Sequence, residues 1–183
     1  MSNVSNVTAA KPAVSGAISR APLGTTLPTT ADGSLDAAFK SLGYISEDGV
    51  TNSNTATTSD VKAWGGQVVL NLQTDKPDTF KFRVLEYLND EVLKTINGDS
   101  NVTGALATGI TITANADEQE AQSWCIDSIL KGDILDRVVI PNGVVSEVGD
   151  IQRYDGGAIG CDITIKAMPD TSGNTHYEYI KEA

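Results

Sequence analysis

A chain of 183 residues can hold one domain with a sizeable core, and its 40% hydrophobic content is ordinary for a globular protein, although aromatic residues make up only 5%. A formal charge of −11, from 24 acidic and 13 basic residues, argues against binding to nucleic acid or to anionic membrane surfaces, which both call for a surplus of Lys and Arg. Residues 1–114 carry 11 acids and 8 bases and residues 115–183 carry 13 and 5, so the second part holds −8 of the total.

Residues 1–38 lack aromatic side chains and hold Pro12, Pro22 and Pro28, which predicts an extended N-terminal arm. Within it residues 16–20 read as a short strand, stopped by Pro22. Leu35, Ala38, Phe39 and Leu42 share the face of one helical turn. Residues 42–50 (Leu-Gly-Tyr-Ile-Ser-Glu-Asp-Gly-Val) and 61–66 (Val-Lys-Ala-Trp-Gly-Gly) look ordered, and between them lies a polar loop of Thr, Ser and Asn with no apolar side chain larger than Ala56. Such a composition predicts a segment that orders only against a partner.

Past this loop the apolar period is two. Val68, Leu70 and Leu72 alternate with Gln67, Val69, Asn71 and Gln73, and Phe80, Phe82 and Val84 alternate with Thr79, Lys81 and Arg83. Asp75 and Pro77 between the two runs predict a hairpin joining them, with one face in the core. The clearest helix is Asp90–Asn97. Asn89 is a good N-cap, Asp90 and Glu91 suit the positive end, Gly98 is a natural stop, and Leu88, Val92, Leu93 and Ile96 form the apolar stripe. Further strands are expected at 110–113, 123–130, 134–140 and 158–168, with a tight turn at Asn142-Gly143. In the last of them Ile159, Cys161, Ile163, Ile165 and Ala167 face inward. Many short strands and one short helix predict a β-sandwich or barrel with the helix on its flank. The expected division is an arm at 1–38, a β-domain at 39–170 and a C-terminal tail at 171–183.

The chain shows no catalytic constellation. Gly65-Gly66 and Gly156-Gly157 open no phosphate loop, and His176, the single histidine, lies in a polar tail. Asp117, Glu118 and Glu120 lack the spacing and glycine of a Ca²⁺ loop and read as a solvated loop. Cys125 and Cys161 sit in apolar strand patterns and are expected as buried free thiols, and Trp64 and Trp124 as core or interface anchors. No cofactor or metal is expected. No apolar leader and no membrane-length run are present, which points to synthesis in the cytosol without a signal peptide.

Several pieces, in order, resemble the major tail tube proteins of long flexible-tailed bacteriophages, most of all those of actinobacterial phages. They are Lys11-Pro12 with Gly16-Ala17-Ile18, residues 21–25, 42–50, 61–66 and 79–93, then 136–143 and 149–167 with Asp155-Gly156-Gly157-Ala158-Ile159-Gly160. The resemblance implies two packed antiparallel sheets with a flanking helix, and a structural, non-enzymatic virion protein. Its subunits would close into rings, usually hexamers, and the rings would stack into a hollow tail tube that conducts the DNA genome. Implied partners are further copies of the chain, the terminator, tail-tip and tape-measure proteins, and double-stranded DNA passing without specific binding; membrane binding is not implied. On this reading Thr51, Asn52, Ser53, Asn54, Thr55, Thr57, Thr58, Ser59 and Asp60 form a ring-stacking loop, and Asp162 is an acid facing the lumen. Two other readings remain open: a terminator or tail-tip ring of the same fold, and a β-sandwich carbohydrate-binding module.

Overall fold

The computed structural model describes residues 2–13 and 16–183. In chain order the strands are β1 (Ala10–Pro12), β2 (Ile18–Pro22), β3 (Lys40–Ser41), β4 (Ile45–Ser53), β5 (Thr57–Lys62), β6 (Val68–Asp75) and β7 (Asp78–Val84). Helix α1 (Asp90–Asn97) follows, then β8 (Val102–Ala105), β9 (Gly109–Ile112), β10 (Gln122–Leu130), β11 (Ile134–Val148), β12 (Cys161–Ala167) and β13 (Tyr177–Glu182). The main sheet is antiparallel in the order β3-β2-β10-β11-β12-β7-β4, with β1 added to β10 and β13 to β11.

The long strand β11 makes a sandwich out of this one sheet. Its first half pairs with β10 and β13, its second half with β12, and the sheet curls across it. Ile18, Trp124, Ile126 and Ile140 from one half therefore meet Phe80, Phe82, Val84, Ile163 and Ile165 from the other in one buried cluster, to which α1 adds Val92 and Ile96. Alternation along β7 and β12 produces this directly: Phe80, Phe82 and Val84 lie opposite Ile165, Ile163 and Cys161, all turned inward. Ile159 of the expected inward set is only half-buried and precedes the strand. Both cysteines are buried free thiols.

Helix α1 has the expected limits and caps. The Asn89 side chain accepts from the Glu91 N–H, and the Gly98 N–H donates to the Lys94 carbonyl. Leu88, expected on the apolar stripe, is exposed because it lies ahead of the first turn. The helix is tied to β2 by Arg20, almost wholly buried, whose guanidinium reaches Glu91 at 2.8 Å, Asp99 at 2.7 Å and Gln122 at 2.8 Å.

Four expectations are corrected. The stretch around Leu35–Leu42 forms no helical turn: Phe39 closes a tight turn on Asp36 and packs on the outer face of the sheet with Ala21, Cys125 and Val139, while Leu42 enters the main core. Asn142-Gly143 is no turn either, for β11 runs straight through it. Gly143 is there because a Cβ would lie 2.8 Å from both Trp124 Cδ1 and Ile165 Cγ2, and its carbonyl accepts the Trp124 indole N–H at 3.0 Å. The runs 67–73 and 79–84 do not pair with each other: β6 pairs with β5, and β7 with β4 and β12. His176 is not isolated, since its Nδ1 lies 2.6 Å from Asp78 Oδ2 and its ring packs edge-on against Phe80.

Of the stretch expected as an arm, Ile18–Pro22 is an interior strand between β3 and β10. The chain after it straps the sheet's outer face, pinned by Arg137 to the carbonyls of Thr30 and Gly33 at 3.1 and 2.6 Å. Among the described residues no helix is long and apolar enough to cross a membrane.

Candidate assembly surface

The expected stacking loop is mostly strand. Thr51, Asn52 and Ser53 lie in β4 opposite Lys81, Phe80 and Thr79 of β7. Thr57, Thr58, Ser59 and Asp60 lie in β5 opposite Asp75, Gln73, Leu72 and Asn71 of β6. Only Asn54, Thr55 and Ala56 connect the two strands. Thr is β-branched and at home on a pleated surface, so a Thr-rich polar run extends as readily as it loops.

Among the described residues strands β5 and β6 form a ribbon that pairs with no other strand. Every residue of both strands is exposed, so the ribbon stands off the sandwich. Its tip turns through residues 63–67, with the Ala63 N–H donating to Gln67 O and the Gly66 N–H to Ala63 O. Gly65 and Gly66 there have φ of 103° and 90°, a region closed to most side chains, which accounts for the glycine pair. At the tip Trp64 is 106% exposed, and Val61, Val68, Val69, Leu70 and Leu72 are exposed along the arms. A two-stranded ribbon is marginal in water by itself, and a patch of this kind on a soluble chain marks a contact surface. Reasoning from the chain alone expected one face of the 67–73 run to lie in the core, whereas both faces are exposed. The legible signal was Trp-Gly-Gly between a Thr-rich run and an alternating run of similar length, the outline of a hairpin.

The ribbon is rooted at a buried carboxylate. Asp78, whose side chain is 1% exposed, accepts from Asn52 Nδ2 at 2.8 Å, Thr175 Oγ1 at 2.6 Å and His176 Nδ1 at 2.6 Å. Burial pushes this carboxyl up, but the Thr175, Asn52 and His176 hydrogen bonds together outweigh it and hold it below the usual carboxylate range. The end of β4, the first residue of β7 and the segment leading into β13 are thus joined at the point where the ribbon leaves the sandwich.

Asp162 is half-exposed on the outward face of β12, 3.4 Å from Lys81 Nζ and 3.3 Å from Arg83 Nη1. Lys166 follows on the same face, so the surroundings of Asp162 are not negative. Trp124 is core and Trp64 is not. Asp117, Glu118 and Glu120 line an open polar cleft of about 460 Å³ beside α1, and among the described residues no group of His, Cys, Asp or Glu is placed to hold a metal ion. The remaining exposed aromatics, Tyr44 and Tyr154, belong to the end of the sandwich away from the ribbon.

A sequence model of the phage tail tube proteins matches residues 3–183. No curated protein matches the chain.

Proposed function

From the premise that this chain belongs to the phage tail tube protein family, we propose that it closes into rings, six subunits each, which stack into the hollow tail tube and let the DNA genome pass without specific binding. Membership makes it a structural protein of the virion tail, which associates with itself and with other tail proteins. Terminator, tail-tip and tape-measure proteins are the partners proposed at the tube's ends and within its bore.

The observation that carries the stacking role is the β5–β6 ribbon: fully exposed, apolar at its tip, and paired only with itself. The polar residues 51–60 serve as the ribbon's root and outer arm rather than as a loose loop. Asp162, held between Lys81 and Arg83, contributes to a lumen wall by pairing β12 with β7 more than by repelling phosphate. Screening confines any wall charge to about 8 Å in any case.

The test is removal of Thr57–Asp75. Ser53 and Thr79 are cross-strand partners, so residues 54–56 and 76–77 can close a short hairpin in its place and leave Asp78 in β7. Nothing in the sandwich packs on the ribbon, and shortening the loop lowers its closure entropy by on the order of 1 kcal/mol. The expected result is an unchanged or slightly raised melting temperature with no tubes in negative stain. Tubes of normal length from the shortened chain would refute the reading.

A further inference from the structure

Strands β4 and β7 run antiparallel, with Ser53 beside Thr79 at one end and Ile45 beside Val84 at the other. The ribbon leaves from the first end. Beyond the second lie Tyr44, bonded through its carbonyl to the Leu85 N–H, and the turn 85–89. Loop 149–160 reaches the same end, because Cys161 pairs with Val84 and the Arg153 guanidinium donates to Tyr87 Oη at 2.7 Å. Leu88, 63% exposed, lines an open groove of about 630 Å³ with Leu85, Tyr87 and Ile159, and Tyr44 and Tyr154 are exposed at 77% and 56% on segments that reach the same end. About 20 Å of strand separates the two ends.

We propose that this end is the receptor for the ribbon tip of a second copy: Trp64 seats against Leu88 and Tyr154, and Lys62 meets the acids around them. The inference rests on the stacking role given to the ribbon and says where the ribbon goes. Three observations support a second copy as the occupant. Donor and receptor lie at opposite ends of one strand pair, so their contact is head-to-tail and propagates in the open manner that stacking needs. Both surfaces present apolar side chains that are exposed among the described residues. Their charges also match: Lys62 is the one charged residue between Val61 and Thr74, whereas Glu86 lines the groove and Asp150 and Asp155 are exposed on loop 149–160, against Arg153. A single such contact is small, but a ring makes it once per subunit, so modest pairwise affinity suffices for a stable stack.

Two variants separate the halves of the contact. W64A/K62E removes the donor and L88D/Y154D removes the receptor; all four positions are exposed, and melting curves verify that both variants fold. Each alone is expected to raise the critical concentration for tubes by about thirtyfold or more, as loss of a tryptophan anchor does. Mixed in equal amounts they are expected to associate, because each retains the half that the other lacks; sedimentation velocity reads this. Trp64 emission in the wild type should shift to the blue on assembly, against the constant signal of buried Trp124. If only the donor variant loses assembly, the receptor is elsewhere and the ribbon's role stands. If both variants assemble normally, the ribbon's role fails too. If neither assembles and the mixture stays dissociated, the complementary pairing is refuted.

Discussion

Asp78 is the position where a single atom should most affect stability. Its side chain is 1% exposed and receives three donors, from Asn52, Thr175 and His176. Truncation in D78A removes three hydrogen bonds to a charged acceptor, each worth about 1.5–3 kcal/mol, but Asn52 is exposed and His176 partly so, and both can turn to water. A net loss of about 3–4 kcal/mol follows, a large share of the roughly 5–15 kcal/mol of an ordinary domain. D78N keeps the shape but points an NH₂ group at one of the donors, and should lose about 2 kcal/mol. Urea unfolding of wild type and D78N across pH separates this from simple packing. Because the folded carboxyl titrates below its ordinary value, its stabilisation is complete above the unfolded pKa of about 3.9 and is lost as pH falls through the lower folded pKa. The gap between wild type and D78N should therefore be full at pH 7 and close below about pH 4. A gap that persists unchanged into acid, or no gap at pH 7, would refute the reasoning. Hydrogen exchange should show β13 as the element that D78N loosens most, since Thr175 and His176 lead directly into it.

The core supplies two further outcomes. G143A should lower stability by about 1–3 kcal/mol, because the added methyl meets Trp124 and Ile165 at 2.8 Å and neither can yield without moving the other; a melting temperature equal to wild type would contradict this. Burial pushes the Cys161 thiol up to about 11 and the Cys125 thiol, beside Asp127, higher still. A thiol reagent at pH 8 should thus label neither cysteine until urea unfolds the chain, and fast labelling of the native protein would mean that the sandwich opens.

Local chemistry made some elements readable. Asn89 and Gly98 bracket α1 because capping is decided within a few residues, and the alternation of β12 is visible because only one of its faces meets the core. Where a residue's role depends on a distant neighbour, the reading failed. Gly143 stands in an Asn-Gly pair that elsewhere makes a turn, but its missing side chain makes room for Trp124, nineteen positions earlier. Leu35, Phe39 and Leu42 have helical spacing, yet Phe39 and Leu42 belong to cores on opposite faces of the sheet, which an extended chain crossing an edge can serve and a helix cannot. Ile18–Pro22 looked peripheral because it is short and proline-bounded, while its partners Ser123, Trp124 and Cys125 are a hundred residues away.

The ribbon failed for a more instructive reason. Alternating Val68, Leu70 and Leu72 satisfy the rule for a half-buried strand, and that rule carries a hidden premise, that the buried side is buried in the same molecule. Here both faces are exposed, and the run Val68-Val69-Leu70 places apolar side chains on each of them. Periodicity detects amphipathic strands but not whose core they complete. What distinguishes the two cases is the count of partners: β7, also alternating, has β4 on one side and β12 on the other, whereas β6 has β5 alone. A hydrophobic strand with one narrow neighbour and a tryptophan at its turn is therefore better explained by a surface outside the chain than by a defect inside it. On the proposed stacking role the stability of the sandwich and the capacity to assemble rest on separate residues, and the deletion of Thr57–Asp75 tests that separation directly.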